Sequence, residues 1–284
     1  MSTTASSSVA NEVITQVQES QGFSIKALVT NEYFLYCFSF LTFLTVWHFT
    51  AKYQVLGKSL ATPMEVILEL GRMVTVKLAG KNLWGHIWAS VQRILLGFSL
   101  GCIFGMPLGL FMALNKYVNA IIKPIFDLFK PMPPIAWISI AILWFGIGEP
   151  SKVFIIFIGS FVPCVLNAYN GIRIIDEDLY DVVRVMGGNR WDEIIQVSIP
   201  ASLPALFAGF QISLSVAWTC VLAAELVSAR SGMGWIIVRG MKLTKPELVI
   251  GGMVIIAIVA WISTLIVLWS EKAFCPWRRG IKNL

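Results

Sequence analysis

The sequence predicts an all-α integral membrane protein with six transmembrane helices. Of its 284 residues, 57% are hydrophobic and only 13% are charged, whereas soluble domains carry about 25% charged residues. Six segments without Asp, Glu, Lys or Arg reach or approach the roughly 20 residues that a helix needs to cross a bilayer. Membrane-spanning strands are disfavoured, because a barrel strand alternates over about 10 residues and these segments do not alternate.

The six spans are predicted near residues 33–51, 85–114, 121–147, 152–172, 200–226 and 248–270. Residues 1–32 have no basic region and no small-residue cleavage site, so we expect an N-terminal tail there rather than a signal peptide. The segment 173–199 is expected to be a loop between the fourth and fifth spans, and 271–284 a C-terminal tail.

The loop 173–199 has the pattern of two short helices joined by a turn. Three acidic residues at 176–178 favour a helix start, where the helix macrodipole stabilises negative charge. The glycine pair at 187–188 permits a sharp turn. A second short helix is predicted over 190–197, and Pro200 suits the first turn of the fifth span.

One motif within this loop has a defined spacing. An acidic residue and two small apolar residues are followed after three residues by a glycine, and after nine more by apolar-x-apolar-Pro. This pattern resembles the loop of ABC importer permeases, which in that family reads Glu-Ala-Ala, three residues, Gly, nine residues, Ile-x-Leu-Pro. The resemblance implies a set of residues for coupling to an ATPase. They are Asp181, Val182, Val183, Gly187, Gly188, Val197, Ile199 and Pro200.

Further segments resemble the nitrate, sulfonate and taurine branch of that family. They are ATPMEVI, SVQRILLGFSLG, PPIAWISIAILWFGIGEPSK, AAELV and SGMG, and the tail CPWRRG is similar to the taurine members. Ile138 and Ser139 replace a Leu-Pro pair of the branch, which predicts that one kink of the third span is absent.

The resemblance implies the type I ABC importer permease fold, working as a homodimer in the bacterial inner membrane. It implies cytoplasmic ATPase subunits that bind ATP and Mg, and an extracytoplasmic substrate-binding protein. The chain itself would be neither an enzyme nor a cofactor carrier, and nucleic acid is not an expected partner. Because the ATPase is cytoplasmic, the loop 173–199 and both tails are expected to face the cytoplasm.

The distribution of charge gives an indication of the substrate that is weaker than the evidence for the family. In this orientation Lys and Arg are divided evenly between the two sides, but the whole net charge of +6 falls on the outer side. The outer charge either attracts an anionic substrate or belongs to loops that are simply solvated. The resemblance favours taurine or another alkanesulfonate, with nitrate, bicarbonate or a vitamin precursor as alternatives.

Polar residues and glycines within the spans are further candidates. Arg93 and Glu225 lie near the outer ends of the second and fifth spans, where they either pair and brace an outer gate, or leave Arg93 free for an anion. Asp127 and Lys130, three residues apart, are expected to pair. Four glycines on one face of the second span predict a close helix contact, within the subunit or at the dimer interface. They are Gly97, Gly101, Gly105 and Gly109.

Trp137, Asn167 and Trp218 are candidates for lining the pathway, although packing in the core is an equal alternative for the tryptophans. No metal site is expected, since the five cysteines are scattered and His86 is predicted to lie at the membrane interface. Two rival functions are disfavoured. An ATP-independent carrier often has inverted repeats, which are not detectable here, and a membrane-embedded enzyme needs clustered His, Asp or Glu.

Overall fold

The computed structural model describes residues 32–55 and 57–277, and the predictions for the remainder of the two tails lie outside the described residues. The helices in chain order are α1 (Glu32–Lys52), α2 (Pro63–Thr75), α3 (Leu83–Leu114), α4 (Lys116–Phe129), α5 (Ile138–Phe145), α6 (Glu149–Arg173), α7 (Glu177–Val185), α8 (Arg190–Asp192), α9 (Ile199–Ser228), α10 (Met233–Lys242) and α11 (Pro246–Phe274). Short 3-10 helices cover Gly57–Ser59 and Pro134–Trp137, and a π-helical turn, Glu193–Ser198, joins α8 to α9.

The chain divides into two compact units, residues 1–64 and 65–284. The first unit contains α1, whose Trp47 donates its indole N–H to the carbonyl oxygen of Ala61 at 3.0 Å. The second unit contains α2 from Glu65 onward and all later helices. The functional candidates that the sequence predicts all belong to the second unit.

Within the described residues, five helical segments are long and apolar enough to cross a membrane. They cover residues 33–52, 83–114, 149–173, 190–227 and 246–274. The helices at 116–129 and 134–145 make a sixth candidate if they are counted as one span. The fifth predicted span therefore begins about ten residues earlier than expected, because its helix continues backward into the loop.

The third predicted span is broken rather than straight. Its two halves are bent by 86° at the break between Phe129 and Pro134. Pro131 and Pro133 lie in this break, and each removes a backbone donor and disfavours helix at the preceding residue. Ile138, by contrast, begins an uninterrupted helix, so the bend arises from the prolines upstream of the Ile138-Ser139 pair.

The core of the second unit lies where α3, α6, α9 and α10 meet. Ile94, Ile156, Ala217 and Ile236, one from each of these helices, are buried in the same hydrophobic cluster. Close approach of α3 and α6 is a condition for this packing, and it depends on the glycine stripe of α3.

That stripe faces α6 of the same chain. At Gly101 an added Cβ would lie 2.6 Å from the Cβ of Ser160, and at the other three glycines the nearest atom also belongs to α6 and is closer than 3.0 Å. A methyl group at any of the four would therefore force the helices apart. The sequence left open whether this stripe contacts a helix of the same subunit or forms the dimer interface. In the structure it contacts a helix of the same subunit, at Gly97, Gly101, Gly105 and Gly109.

Candidate functional site

The loop between α6 and α9 starts with a capped helix and turns at glycine. The side chain of Asp176 caps the start of α7, and Gly187 at its end has a φ of +83°. Gly187 N donates to Arg184 O at 3.0 Å and Gly188 N to Val183 O at 2.9 Å, which is the Schellman pattern. Glycine adopts this left-handed conformation without the steric cost of a Cβ, so the predicted turn forms at the predicted residues.

The second helix of the loop starts directly after the turn. Asn189 and Asp192 form a capping box, in which the Asn189 side chain accepts from Asp192 N at 3.2 Å and the Asp192 side chain accepts from Asn189 N at 2.7 Å. From Arg190 the helix runs through the π-helical turn into α9, and Pro200 lies in the first turn of α9. The short helix predicted over 190–197 is thus the first part of the membrane helix, and no flexible segment separates the two.

Side-chain bonds tie the two halves of the loop together. The Arg184 guanidinium donates to Glu193 at 2.7 Å and to Asp181 at 3.0 Å, and the Glu193 carboxylate raises the pKa of Arg184 above its ordinary value. Arg190 donates to the carbonyl oxygen of Leu114 at 3.2 Å, at the C-terminal end of α3. The loop is therefore joined to α3 as well as to α9.

The loop exposes apolar side chains at its tip. Val182, Val185 and Met186, which we call the loop tip, are 58%, 88% and 83% exposed. Of the coupling residues predicted from the motif, Val182 lies in this tip, Val197 is buried and Ile199 is 41% exposed.

A second polar site lies near the N-terminal end of α3, where Arg93 is almost completely buried. Arg93 Nη1 donates to Glu225 Oε1 at 2.6 Å and to Ser231 O at 2.8 Å. Its Nε and Nη2 donate to the two oxygens of Glu149 at 2.5 and 2.8 Å, and Nη2 also reaches Ser231 Oγ at 3.3 Å. Every N–H group of the guanidinium therefore has an acceptor, and Arg93 is not free to meet an anion.

The position of Glu225, which is 1% exposed, explains why the motif SGMG contains two glycines. Its carboxylate accepts from Ser90 Oγ at 2.7 Å and from Gly234 N at 2.8 Å. A Cβ at Gly232 would collide with the carboxylate itself, and one at Gly234 would lie 2.8 Å from the Glu225 Cβ. The two glycines are needed so that the turn after α9 can approach Glu225.

Lys152 completes the charge balance of this site, which we call the Arg93 cluster. Lys152 Nζ donates to Glu149 Oε1 at 3.0 Å, so two cations face two carboxylates. The sequence indicated Arg93 and Glu225 but counted Glu149 and Lys152 only among the charges on the outer side. A signal for the Glu149–Lys152 pair was available in the sequence, because an acidic residue stands three positions before a lysine at a helix start.

His86 is completely buried within the protein beside the cluster, and its expected depth at the membrane interface stays a prediction. Its Nδ1 accepts from Gly232 N at 3.2 Å and its Nε2 lies 2.9 Å from Leu78 O. The ring stacks on Trp235 with centroids 5.2 Å apart. Among the described residues, no group of three or more His, Cys, Asp or Glu side chains is arranged to hold a metal ion.

The remaining candidates take part in helix packing. Trp218 is buried and donates to Ser263 Oγ at 2.9 Å, while the Asn167 amide donates to Pro163 O at 2.9 Å. Trp137 is half-buried, with its ring beside that of Phe129. Trp218 is therefore a core residue, and the pathway role of Asn167 and Trp137 stays a prediction.

The charge pair predicted in the third span has an additional member. Asp127 accepts from Lys130 at 2.7 Å, as expected, and also from Lys123 at 2.6 Å.

A bundle of membrane-length helices with a capped, exposed loop between two of them defines a multi-pass membrane protein. The family described as the binding-protein-dependent transport system inner membrane component matches residues 105–280. Because this match covers more than half of the chain, the chain belongs to that family.

Individual relatives point to one branch of it. The chain is 31% identical over 243 residues to the taurine transport system permease protein of Escherichia coli, covering 84% of this chain and 88% of that protein. It is 32% identical over 224 residues to the putative aliphatic sulfonates transport permease protein of Bacillus subtilis, covering 79% and 80%. The bicarbonate transport system permease protein of Synechococcus elongatus is 31% identical over 193 residues, covering 68% and 69%. The chain is an ABC importer permease of this taurine, sulfonate and bicarbonate type.

Solved structures agree on the fold. A chain of the MetNI methionine ABC transporter, in an inward-facing conformation, aligns with a TM-score of 0.59 at 17% identity, covering 68% of this chain and 97% of that chain. A chain of an amino acid ABC transporter aligns with a TM-score of 0.54 at 14% identity, covering 76% and 99%. The fold is that of a type I ABC importer permease.

Proposed function

We propose that this chain is the membrane-spanning subunit of an ATP-driven importer, and that its loop receives the movement of a cytoplasmic ATPase. The observation that carries the proposal is the loop tip. Val182, Val185 and Met186 expose apolar surface on a loop whose helix ends are capped, and such surface is typical of a contact that a partner protein covers. The ATPase subunits bind ATP and Mg, and this chain supplies no catalytic group.

The rest of the machinery follows from the family. Two copies of the chain enclose the pathway in the bacterial inner membrane, and an extracytoplasmic binding protein delivers the substrate. Movement of the loop reaches the pathway through α9, because the helix is continuous from Arg190 to Val227. An ATP-independent carrier would have no use for a capped loop with an exposed apolar tip.

The proposed substrate is taurine or another small alkanesulfonate. Two of the relatives named above are a taurine and a sulfonate permease protein, and the outer side, in the orientation that the loop implies, carries the whole net charge of +6. Arg93 gives this proposal no support, since its charge is neutralised by Glu149 and Glu225. Selection among anions therefore belongs chiefly to the binding protein.

Transport by the reconstituted complex tests the proposal. Proteoliposomes with the permease, its ATPase and its binding protein would be offered taurine, an alkanesulfonate, nitrate, bicarbonate and a cationic pyrimidine. We expect ATP-dependent uptake of the sulfonates. Uptake of the cation alone would refute the substrate, whereas uptake without the ATPase would refute the ATP-driven mechanism.

A pair of matched variants tests the loop tip within the same assay. Met186→Asp puts a charge into the proposed ATPase contact, so the ATPase should no longer copurify with the permease and uptake should stop. Met241→Asp, at a methionine of α10 that is 64% exposed, should leave both unchanged. Normal ATPase binding by Met186→Asp would remove the loop tip from the contact.

A further inference from the structure

The π-helical turn lies at the point where the loop joins α9. Within it, the N–H of Ile199 bonds to the carbonyl oxygen of Ile194, five residues earlier, rather than four as in an α-helix. A single π turn inside an α-helix is rare and is frequent at functional sites. It contains one residue more than an α-helical turn, so it needs support from outside the helix.

Ser198 supplies part of that support. It is completely buried, and its hydroxyl donates to the carbonyl oxygen of Glu193 at 3.3 Å, across the π turn. The hydroxyl of Tyr180 lies 3.1 Å from Ser198 Oγ. Since the single hydroxyl proton of Ser198 is directed at Glu193, Tyr180 is the donor in this contact.

A second side chain of α7 holds the other end of the same turn. Arg184 donates to the carboxylate of Glu193 at 2.7 Å. Tyr180 and Arg184 are four residues apart and therefore lie on one face of α7, while Glu193 and Ser198 are the first and last residues of the π turn. Two side chains on one face of α7 therefore bond to the first and last residues of the π turn.

We propose that Tyr180 is a positioning residue that keeps the π turn in place, so that a movement of α7 is passed on to α9. The inference rests on the proposed function, in which the ATPase moves the loop. Without this support the turn can relax to an α-helical turn by shifting one residue in register, which rotates the two parts of the helix by about 100° relative to each other. A turn that relaxes in this way absorbs the movement of the loop before it reaches the membrane.

Tyr180 carries more of this role than Arg184 does. The Arg184 side chain is 59% exposed, and exposed ion pairs contribute little because water screens them. The Tyr180 hydroxyl bonds instead to Ser198, which has no exposed surface, and losing a partner costs more at a buried polar group than at an exposed one.

The experiment measures how many substrate molecules the reconstituted complex imports for each ATP hydrolysed. Tyr180→Phe should lower this ratio about fivefold, which is the change in population that the loss of one net hydrogen bond produces. Ser198→Ala should lower it at least as much, because it also removes the bond to Glu193. The double variant should be no worse than Ser198→Ala alone, because Ser198→Ala already removes the bond that Tyr180→Phe removes. Tyr117→Phe and Ser215→Ala, which remove an exposed tyrosine hydroxyl and a serine hydroxyl bonded within its own helix, should keep the ratio of the unchanged protein.

Two results would overturn the inference. One is a ratio that stays constant in Tyr180→Phe while both rates fall together, as expected for a purely structural residue. The other comes from hydrogen exchange, which does not depend on transport: the amides of residues 194–199 should exchange faster in Tyr180→Phe, and unchanged protection would refute the role of Tyr180 whatever the uptake. Failure of the unchanged complex to import any substrate with ATP would instead refute the proposed function.

Discussion

The loop and the Arg93 cluster lie at opposite ends of α3 and are built in opposite ways. The partners of Arg184 in the loop are only 3 and 9 residues away in sequence and are reached by exposed side chains. The partners of Arg93 on α9 and the turn after it are 132 and 138 residues away, and both Arg93 and Glu225 are buried. About 30 Å of helix separates Arg93 from Leu114, where the loop touches α3.

This difference indicates what each region contributes. The loop can move as a preformed piece, because its caps and its turn are satisfied within the loop. The Arg93 cluster joins α3, the start of α6 and the turn after α9, so it cannot rearrange without separating charges inside the protein. We therefore expect changes in the cluster to affect folding, and changes in the loop to affect the transmission of movement.

The largest effect is expected from breaking the Arg93–Glu225 pair. Removing one partner of a buried ion pair costs about 3–5 kcal/mol when the other charge is left unpaired, as that of Glu225 is in Arg93→Ala. In Glu225→Ala, Arg93 keeps Glu149, so we expect a smaller loss. Arg93→Ala and Glu225→Ala should each lower the thermal midpoint of the detergent-solubilised permease and its amount in the membrane. The double variant should lose less than the sum of the two, and strictly additive losses would mean that the residues act independently.

A matched control uses the other carboxylate that the sequence placed within a span. Asp127 also bonds to two cations, but its side chain is 36% exposed, so Asp127→Ala should shift the midpoint far less than Glu225→Ala. Equal shifts would show that burial does not distinguish the two sites.

A smaller effect on stability, with a larger one on transport, is expected at Gly187. A residue with a Cβ in the left-handed conformation costs about 1–2 kcal/mol, and valine is among the residues that tolerate it least. Gly187→Val should leave the permease folded and inserted but reduce ATP-dependent uptake. Gly187→Asn is the control, because asparagine accepts this conformation at helix ends. Equal uptake by the two variants would contradict the role of the turn.

The contrast between contacts that are near in sequence in the loop and contacts that are distant in the Arg93 cluster also explains what the sequence could predict. The two short helices and the turn were predictable, because each is determined by residues close to it in sequence. These are the acids at the start of the first helix, the glycine pair at the turn and the Asn that begins the capping box. The continuity of the second helix with α9 was not, because nothing local marks a π-helical turn. Its support comes from Tyr180, in a different helix.

For the cluster, the sequence indicated that Arg93 and Glu225 need partners, but it did not indicate that Glu149 and Lys152 complete the site. Those two residues lie at the start of the fourth span and were counted only among the outer charges, and only the packing of α3 against α6 brings Glu149 to Arg93. Pro131 and Pro133 are the signal in the sequence for the break in the third span, but their positions do not predict its angle of 86°.

The smallest effect is expected at Asn189, the cap of the second loop helix. Replacing such a cap by alanine costs about 1 kcal/mol, and here the loss falls on an exposed helix start that the continuous helix behind it supports. Asn189→Ala should therefore speed hydrogen exchange at the amides of Trp191 and Asp192, which the Asn189 side chain now accepts from, while the thermal midpoint stays almost unchanged. Asn189→Ser keeps a capping oxygen and should retain the protection. If Asn189→Ala lowered the midpoint as much as Arg93→Ala, the loop would be part of the folding core and its contrast with the Arg93 cluster would be wrong.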